Sequence, residues 1–419
     1  MRKMIDSGVE WLGAIPQDWD LVQIKSIALC KSEKSSYIGG AYIGLEHIES
    51  GSGKLLADGS QTGIEVDSTV SSFSDTDILF GKLRPYLAKA AKPNFDGQCS
   101  TEILVLNPSS RIQKDFLFWY LLDPAFIDAV NASTYGAKMP RANWNFIGSC
   151  YLPLPPMNMQ TVISSVLNEK FAQVDTLIAN VQAQIEKLKA YKQSVITEVV
   201  TKGLDPTVPM KDSGVEWIGE IPAHWGVTRI KNMFELRNER NDEADLTKVN
   251  LISLYTDLGV VQHSDLTATT GNRAVTAEGY KIVRKNDIVV NIILCWMGAV
   301  GMSQYDGVTS PAYDIYRPLK DTNSEYYHYL FRTNRFNGEC YRYGRGIMMM
   351  RWRTYSTEFR AINIPCPPAE EQKKIVAHLN EKCNKIDQLI AIKQAKIEKL
   401  EQYKRSLIYE YVTGKREVV

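Results

Sequence analysis

The segment DSGVEWLGAIPQDW, residues 6–19, recurs as DSGVEWIGEIPAHW at residues 212–225. Two further matches follow in the same order, LNEK at residues 167–170 and 379–382 and IEKL at residues 185–188 and 397–400. Chance does not plausibly produce such matches in one order, so the chain is an internal duplication. The halves diverge between these anchors, which suggests one scaffold that carries two different surfaces.

A weaker correspondence survives inside the divergent middles. It matches Asp77 with Asp287, residues 97–100 with 307–310, Pro108 with Pro318, and Tyr135-Gly136 with Tyr343-Gly344. Runs such as 102–106 and 250–254 are typical of strands, whereas 116–122 and 326–331 are typical of short amphipathic helices. Each middle is therefore predicted to be one α+β domain.

The shared ends predict two long helices, because apolar residues recur there at alternating spacings of four and three. Each helix follows a proline pair, Pro155-Pro156 or Pro367-Pro368, and has a glycine, Gly203 or Gly414, just beyond its end. The predicted coiled-coil seam contains Phe171, Val174, Ile178, Val181, Ile185, Leu188, Ile386, Ile390, Ile397, Leu400 and Leu407. Lys192 and Lys404 occupy the same seam position, which favours pairing of the two helices with each other. The alternative is that each helix packs only on its own domain.

These patterns predict an α+β fold with two similar α/β domains joined by two long coiled-coil helices, a pseudo-two-fold tandem repeat. The expected boundaries are 1–155 for the first α/β domain, 156–205 for the first helix, 206–366 for the second α/β domain and 367–419 for the second helix.

Catalytic and cofactor-binding signatures are missing from the sequence of 419 residues. It has no G-x-x-x-x-G-K-[ST] loop, no dinucleotide fingerprint, no H-E-x-x-H or G-x-S-x-G, and no Asn-Pro-Pro-aromatic tetrapeptide. Its scattered cysteines and isolated histidines argue against a metal site and predict reduced thiols in the cytoplasm. No secretion signal or membrane span is expected. We therefore predict a non-catalytic, cytoplasmic chain with no metal or cofactor of its own.

Net charge is +1, so any DNA-binding surface must arise from local clustering of basic residues. Between residues 326 and 360, arginines are interleaved with tyrosines and Trp352. Arginine suits a DNA reader because its planar fork grips phosphate or guanine with two hydrogen bonds. The predicted DNA-binding residues are Lys82, Arg84, Lys138, Arg141, Arg342, Arg345, Arg351 and Arg353. The alternative is that these are solvated basic loops paired with acidic residues.

The duplicated openings E-W-[LI]-G-x-I-P-x-x-W resemble the specificity subunits of type I restriction-modification systems. The segment DILFGKLRPY at 77–86, the helix start PPAEEQ at 367–372 and IEKLxxY at 397–403 share this resemblance. The first helix start, PPMNMQ at 155–160, departs from the pattern because it lacks the acidic pair. This loss of negative charge at a helix start is expected to cost about 0.3–1 kcal/mol.

The resemblance implies a division of labour between subunits. Each recognition domain would read one half of a bipartite double-stranded DNA site, and the two helices would pair antiparallel and set the spacer. Two modification subunits would methylate adenine using S-adenosylmethionine, and restriction (motor-nuclease) subunits would use ATP and Mg²⁺. Two alternatives remain: a coiled-coil scaffold that never touches DNA, and a detached recognition subunit of another methyltransferase-nuclease system.

Overall fold

The computed structural model describes residues 2–36, 40–56, 69–136, 138–265, 276–346 and 352–418. The chain forms two compact units. The first combines Met1–Gln182 with Lys393–Val419, and the second is Ala183–Ile392. Each long helix therefore contributes one segment to each unit, whereas the sequence-based boundaries treated the helices as separate segments.

The first unit has two four-stranded sheets among its described residues. One has the order β4-β11-β8-β9 and is antiparallel; the other has the order β5-β7-β10-β6, with β10 parallel to β6. The strands are β1 (Met4–Asp6), β2 (Ala14–Pro16), β3 (Asp20–Gln23), β4 (Ala28–Lys31), β5 (Lys34–Ser36), β6 (Tyr42–Ile43), β7 (Thr69–Phe73), β8 (Ile78–Gly81), β9 (Ala90–Ala91), β10 (Gly97–Ser100), β11 (Ile103–Pro108) and β12 (Tyr151–Leu154). The helices are α1 (Lys114–Leu121), α2 (Pro124–Ala132), α3 (Trp144–Ser149) and the start of α4 (Met157–Lys202).

The second unit repeats the antiparallel sheet in the order β16-β23-β20-β21. Its strands are β13 (Met210–Asp212), β14 (Glu220–Pro222), β15 (Gly226–Arg229), β16 (Phe234–Arg237), β17 (Ile252–Tyr255), β18 (Gly259–Gln262), β19 (Lys281–Val283), β20 (Ile288–Asn291), β21 (Val300–Met302), β22 (Gly307–Thr309), β23 (Tyr313–Pro318) and β24 (Asn363–Cys366). The helices are α5 (Ser324–Phe331), α6 (Asn334–Tyr343), α7 (Ser356–Ala361) and the start of α8 (Ala369–Val412).

Strand register confirms the weak correspondence between the middles at most positions. Leu106 pairs with Ile78 in the first sheet, and the matching Tyr316 pairs with Ile288 in the second. Both central strands end at the matched prolines, Pro108 and Pro318. The expected α+β fold with two similar domains and two long helices is thus confirmed.

The duplicated opening motif supplies core residues in both units. Leu12, Ile15 and Trp19 are buried in the first unit, as are Ile218, Ile221 and Trp225 in the second. One feature of the first core differs from expectation. The segment 116–122 is buried throughout and is not amphipathic, since α1 lies inside the hydrophobic core.

The structure buries or half-buries every residue of the predicted seam. Its two lysines make equivalent ion pairs with the opposite helix. Within the first unit Lys404 Nζ lies 2.7 Å from Asp175, and within the second Lys192 Nζ lies 2.7 Å from Asp387. These contacts run in opposite order along the two helices, as antiparallel pairing requires. Because Asp175 and Asp387 are themselves matched positions, one interaction is made twice.

Both long helices end as the glycines predicted. Gly203 and Gly414 have φ of 76° and 69°, the left-handed conformation common just after a helix. Despite their length, neither these helices nor any other helix in the described ranges has the length and apolar character needed to cross a membrane.

Candidate nucleic-acid interface

Two basic segments that lie far apart in the first repeat meet at one surface. The turn after β8, residues 82–86, lies beside residues 135–136 and 138–141, which follow α2. The amide of Arg84 donates to the Pro140 carbonyl at 2.8 Å, and the amide of Ala142 donates to the Lys82 carbonyl at 2.9 Å. We call these two segments the first basic surface.

Arg84 lies at the exposed tip of this surface with φ 51° and ψ 63°. A left-handed conformation is uncommon for a residue other than glycine, and such strain clusters at functional sites. Lys138 is also exposed, and Lys82 is half-buried. Nearby Lys89 has a structural role instead, because its ammonium donates to the Leu45 carbonyl at 2.6 Å.

Arg141 is held by a carboxylate that the sequence did not single out. Its Nε lies 3.0 Å from Glu102 Oε2, and its Nη2 lies 3.1 Å from Oε1. The Arg141 pKa is raised above its usual value, first by this side-chain hydrogen bond and then by the charge of Glu102. The guanidinium is therefore charged and fixed in orientation.

The second unit builds the corresponding surface from residues 292–298, 341–346 and 352–354. The amide of Thr354 donates to the Ile292 carbonyl at 2.9 Å, which matches the Ala142–Lys82 bond of the first unit. Arg345 and Arg353 exchange backbone hydrogen bonds of 2.8 and 2.9 Å, as Tyr135 and Arg141 do. We call these segments the second basic surface.

This backbone pattern corrects one sequence match. Tyr135 is structurally equivalent to Arg345, so pairing Tyr135-Gly136 with Tyr343-Gly344 was wrong. The second loop is longer, and a match of two letters could not detect the shift.

An aromatic stack supports the second basic surface. The rings of Tyr341 and Trp352 lie 4.9 Å apart with an interplanar angle of 20°, and Trp296 contacts Tyr341 at 5.7 Å. Trp352 Nε1 also donates to the Tyr341 carbonyl at 3.0 Å. Gly344 is required beneath this stack, because a Cβ there would lie 2.2 Å from Trp352 Nε1.

The arginines of the second unit fall into different environments. Exposed Arg345 forms an ion pair with Glu358, and exposed Arg342 lies 2.8 Å from Glu339. Arg353 is half-buried in the strand-like pair with Arg345. Arg332 is structural, since its guanidinium donates to the carbonyl of Val300 in β21 and to that of Asp257, between β17 and β18. Arg351 lies outside the described residues.

Sequence reasoning missed Glu102 and Glu358, which hold Arg141 and Arg345. Isolated acidic residues give no sequence signal, because their partners are set by folding. Trp296 carried a weak signal as a large aromatic in an otherwise aliphatic strand-and-turn segment. Within the described ranges, no cluster of His, Cys, Asp and Glu side chains could hold a metal ion. Burial raises the pKa of Cys99 to about 12 and that of Cys150 to about 11, so both are unreactive thiols at neutral pH.

Comparison with known proteins places the chain in a family. The profile described as "Type I restriction modification DNA specificity domain" matches residues 16–187 and again 222–402. The chain is 28% identical over 243 residues to the EcoDI specificity subunit of Escherichia coli, a match that covers 57% of this chain and 49% of that protein. It thus spans about half the length of that relative. It is 25% identical to the putative MjaX specificity subunit of Methanocaldococcus jannaschii, covering 96% of this chain and 95% of that protein.

Solved structures share the fold at low sequence identity. A chain from a study of complex assembly and conformational transition in the type I R-M system aligns with a TM-score of 0.69 at 16% identity, over 96% of this chain and 99% of that one. The HsdS subunit of Thermoanaerobacter tengcongensis aligns with a TM-score of 0.51 at 17% identity, over 98% and 100%. With two profile matches that span most of its length, the chain belongs to the family of type I restriction-modification DNA specificity subunits.

Proposed function

We propose that each recognition domain of this chain reads one half of a bipartite double-stranded DNA site. One observation carries the proposal: both units build a basic surface at the same place, where the turn after β8 or β20 meets a later arginine-containing loop. Such surfaces attract the phosphate backbone and present side chains to base edges. Since the two surfaces have different side chains, the two half-sites should have different sequences.

The two helices supply a separation of fixed length in this proposal. Helix α4 has 46 residues, which is about 69 Å at 1.5 Å per residue. The two Lys–Asp ion pairs define how the helices align with each other. A defined alignment would give the DNA site a defined spacer.

The helices also carry duplicated apolar residues that face solvent. Leu177 and Tyr403 of the first unit are 47% and 43% exposed, and their matched residues Leu389 and Tyr191 of the second unit are 47% and 52% exposed. Each lies one residue before a seam position, so in an antiparallel pair they flank the same side of the seam. Two equal patches suit two copies of one partner, and we propose that each docks one modification subunit.

Catalysis belongs to the partners in this scheme. The modification subunits would bind S-adenosylmethionine and methylate adenine, and the restriction subunits would use ATP and Mg²⁺ to translocate and cut DNA. This chain would act without a cofactor of its own, in the cytoplasm, as the part that selects the DNA. The missing nucleotide-binding and methyltransferase motifs in its sequence support this assignment.

Selection from randomised DNA tests the proposal directly. The full-length chain, purified with its modification subunits, should enrich a bipartite motif with a constant spacer. Arg84→Ala should weaken preference in one half-site only, and Arg345→Ala in the other only. A base-reading contact is worth about 1–3 kcal/mol, whereas a phosphate contact weakens all sequences alike and flattens the salt dependence.

Arg416→Ala is the matched control, because it removes a cation that pairs with Glu410 outside both basic surfaces. It should leave the motif unchanged. A wild-type complex that enriches no motif contradicts the proposed function.

A further inference from the structure

We infer that Glu102 is a positioning residue that orients Arg141 to read a guanine in the first half-site. This inference rests on the proposed function and names a base that the first basic surface recognises. Glu102 itself need not touch DNA.

The hydrogen bonds between the two side chains leave one edge of the guanidinium available. Glu102 takes the edge formed by Nε and Nη2, at 3.0 and 3.1 Å. An arginine has five N–H donors, so one Nη1 donor and the second Nη2 donor form another edge. That edge has the geometry that pairs with O6 and N7 of guanine in the major groove. Both side chains are partly solvent-accessible, at 33% for Arg141 and 28% for Glu102.

The backbone fixes this pair relative to both basic segments. The carbonyl of Glu102 accepts from the Lys82 amide at 3.0 Å, while the Arg141 amide donates to the Tyr135 carbonyl at 3.0 Å. Leu83 and Arg141 also form an isolated β-bridge. The guanidinium is therefore held before DNA arrives, which reduces the conformational entropy lost on binding.

The second unit reaches a similar arrangement with different residues. Strand register places Ala312 where the first unit has Glu102, so the inherited position supplies no carboxylate there. Glu358 on α7 instead pairs with Arg345. An ion pair inherited from the duplicated ancestor would have its carboxylate at the same position in both repeats. Two different solutions favour a requirement of the surface itself, an arginine fixed by a carboxylate.

A role in stability alone is the competing explanation. Partly exposed ion pairs contribute little to folding, and the salt bridge between Arg2 and Asp18 offers a matched example. That pair is also two-pronged, with Nε and Nη2 of Arg2 at 2.9 and 2.5 Å from the Asp18 oxygens, and it belongs to the same unit. It lies outside the first basic surface.

The experiment compares full-length complexes carrying Glu102→Gln, Arg141→Lys or the control Asp18→Asn in DNA selection and in binding to the selected site. For each protein variant, binding is also measured to versions of the selected DNA site in which every base is substituted in turn. Glu102→Gln should reduce discrimination for one guanine of the first half-site about tenfold and leave the second half-site unchanged. Affinity for unrelated DNA should not fall, because the variant removes a negative charge. Arg141→Lys should affect the same guanine, since lysine keeps the charge and loses the fork. Asp18→Asn should change neither.

The outcomes separate this inference from the proposed function. If the wild-type complex selects a motif and neither Glu102→Gln nor Arg141→Lys lowers discrimination for a guanine in it, the role of Glu102 is overturned. The proposed function is then still intact. Equal weakening of all DNA sequences by Glu102→Gln also overturns it, because that result indicates a general electrostatic or structural effect. Cooperative thermal unfolding of each variant shows that it is folded; if Glu102→Gln does not fold, unchanged guanine discrimination in Arg141→Lys still overturns the inference.

Discussion

Trp19 and Trp225 end the two copies of the opening motif, yet their indole groups have different environments. Trp225 Nε1 donates to Glu371 at 3.0 Å, and the same carboxylate lies 2.8 Å from His224 Nε2. In the first repeat the residue matched to Glu371 is Met159. The Trp19 indole N–H is buried and has no hydrogen-bond partner among the described residues.

We expect Met159→Gln to raise the free energy of unfolding by about 0.5–1.5 kcal/mol, because its amide oxygen can accept from Trp19 Nε1. The reverse exchange, Glu371→Met, should lower it by about 1–3 kcal/mol, because it leaves a buried donor unsatisfied. Denaturant unfolding of the full chain measures both effects. The control is Met157→Gln, an exposed change on the same helical turn that should have little effect. Destabilisation by Met159→Gln would show that the indole does not need an acceptor.

The sequence predicted a less stable start for α4 than for α8, but it did not predict the unsatisfied indole of Trp19. The missing acidic pair in PPMNMQ predicted a less favourable helix start through the helix dipole alone. Only folding brings the helix start to the tryptophan of the opening motif, because the two are far apart in sequence.

At the scale of elements, the long helices were the most predictable part of the chain. Seam periodicity, flanking prolines and terminal glycines are local signals, and they gave the helix ends to within a few residues. The basic surfaces were harder to predict. The Arg141–Glu102 pair joins residues that are distant in sequence. Loop lengths also differ between the repeats, so matching identical residue types gave Tyr135 the wrong counterpart.

The helices also provide a test of partner docking. Replacing both Tyr191 and Leu389 by alanine should remove the second-unit patch and weaken binding of one modification subunit by about 30-fold or more, since an interface tyrosine can contribute about 2 kcal/mol. Native mass spectrometry should then show complexes with one modification subunit in place of two.

Ile392→Ala is the matched control, because Ile392 is 66% exposed on α8 but has a different heptad position from Leu389. It should leave two subunits bound. Two bound subunits in the Tyr191→Ala, Leu389→Ala double variant would place the docking surface elsewhere.

At the scale of the whole molecule, the helices should act as a ruler. Inserting four residues near Gln182 should lengthen α4 by about 6 Å, which on DNA corresponds to roughly one or two base pairs. Four residues are close to one helical turn, so the seam is mildly disturbed, whereas two would turn it away from its partner. The methylated motif recovered from cells carrying the insertion reports the spacer.

The half-site sequences should stay the same in that experiment, because no residue of either basic surface moves within its own domain. A two-residue insertion serves as the comparison and should impair assembly. An unchanged spacer in an active four-residue variant would mean that the partner subunits set the distance.

The paired lysines and aspartates have a consequence for inheritance. Lys192 meets Asp387 and Lys404 meets Asp175, so each repeat offers the other one positive and one negative partner. Recombination can then replace the gene segment that encodes either repeat with the segment of a related gene. Both ion pairs are kept, provided the incoming segment encodes the same lysine and aspartate. The ends must keep both partners, whereas the middles make neither of these two contacts. Because the two repeats are duplicates, each can be replaced independently. Recombination can therefore produce chains with new combinations of the two basic surfaces.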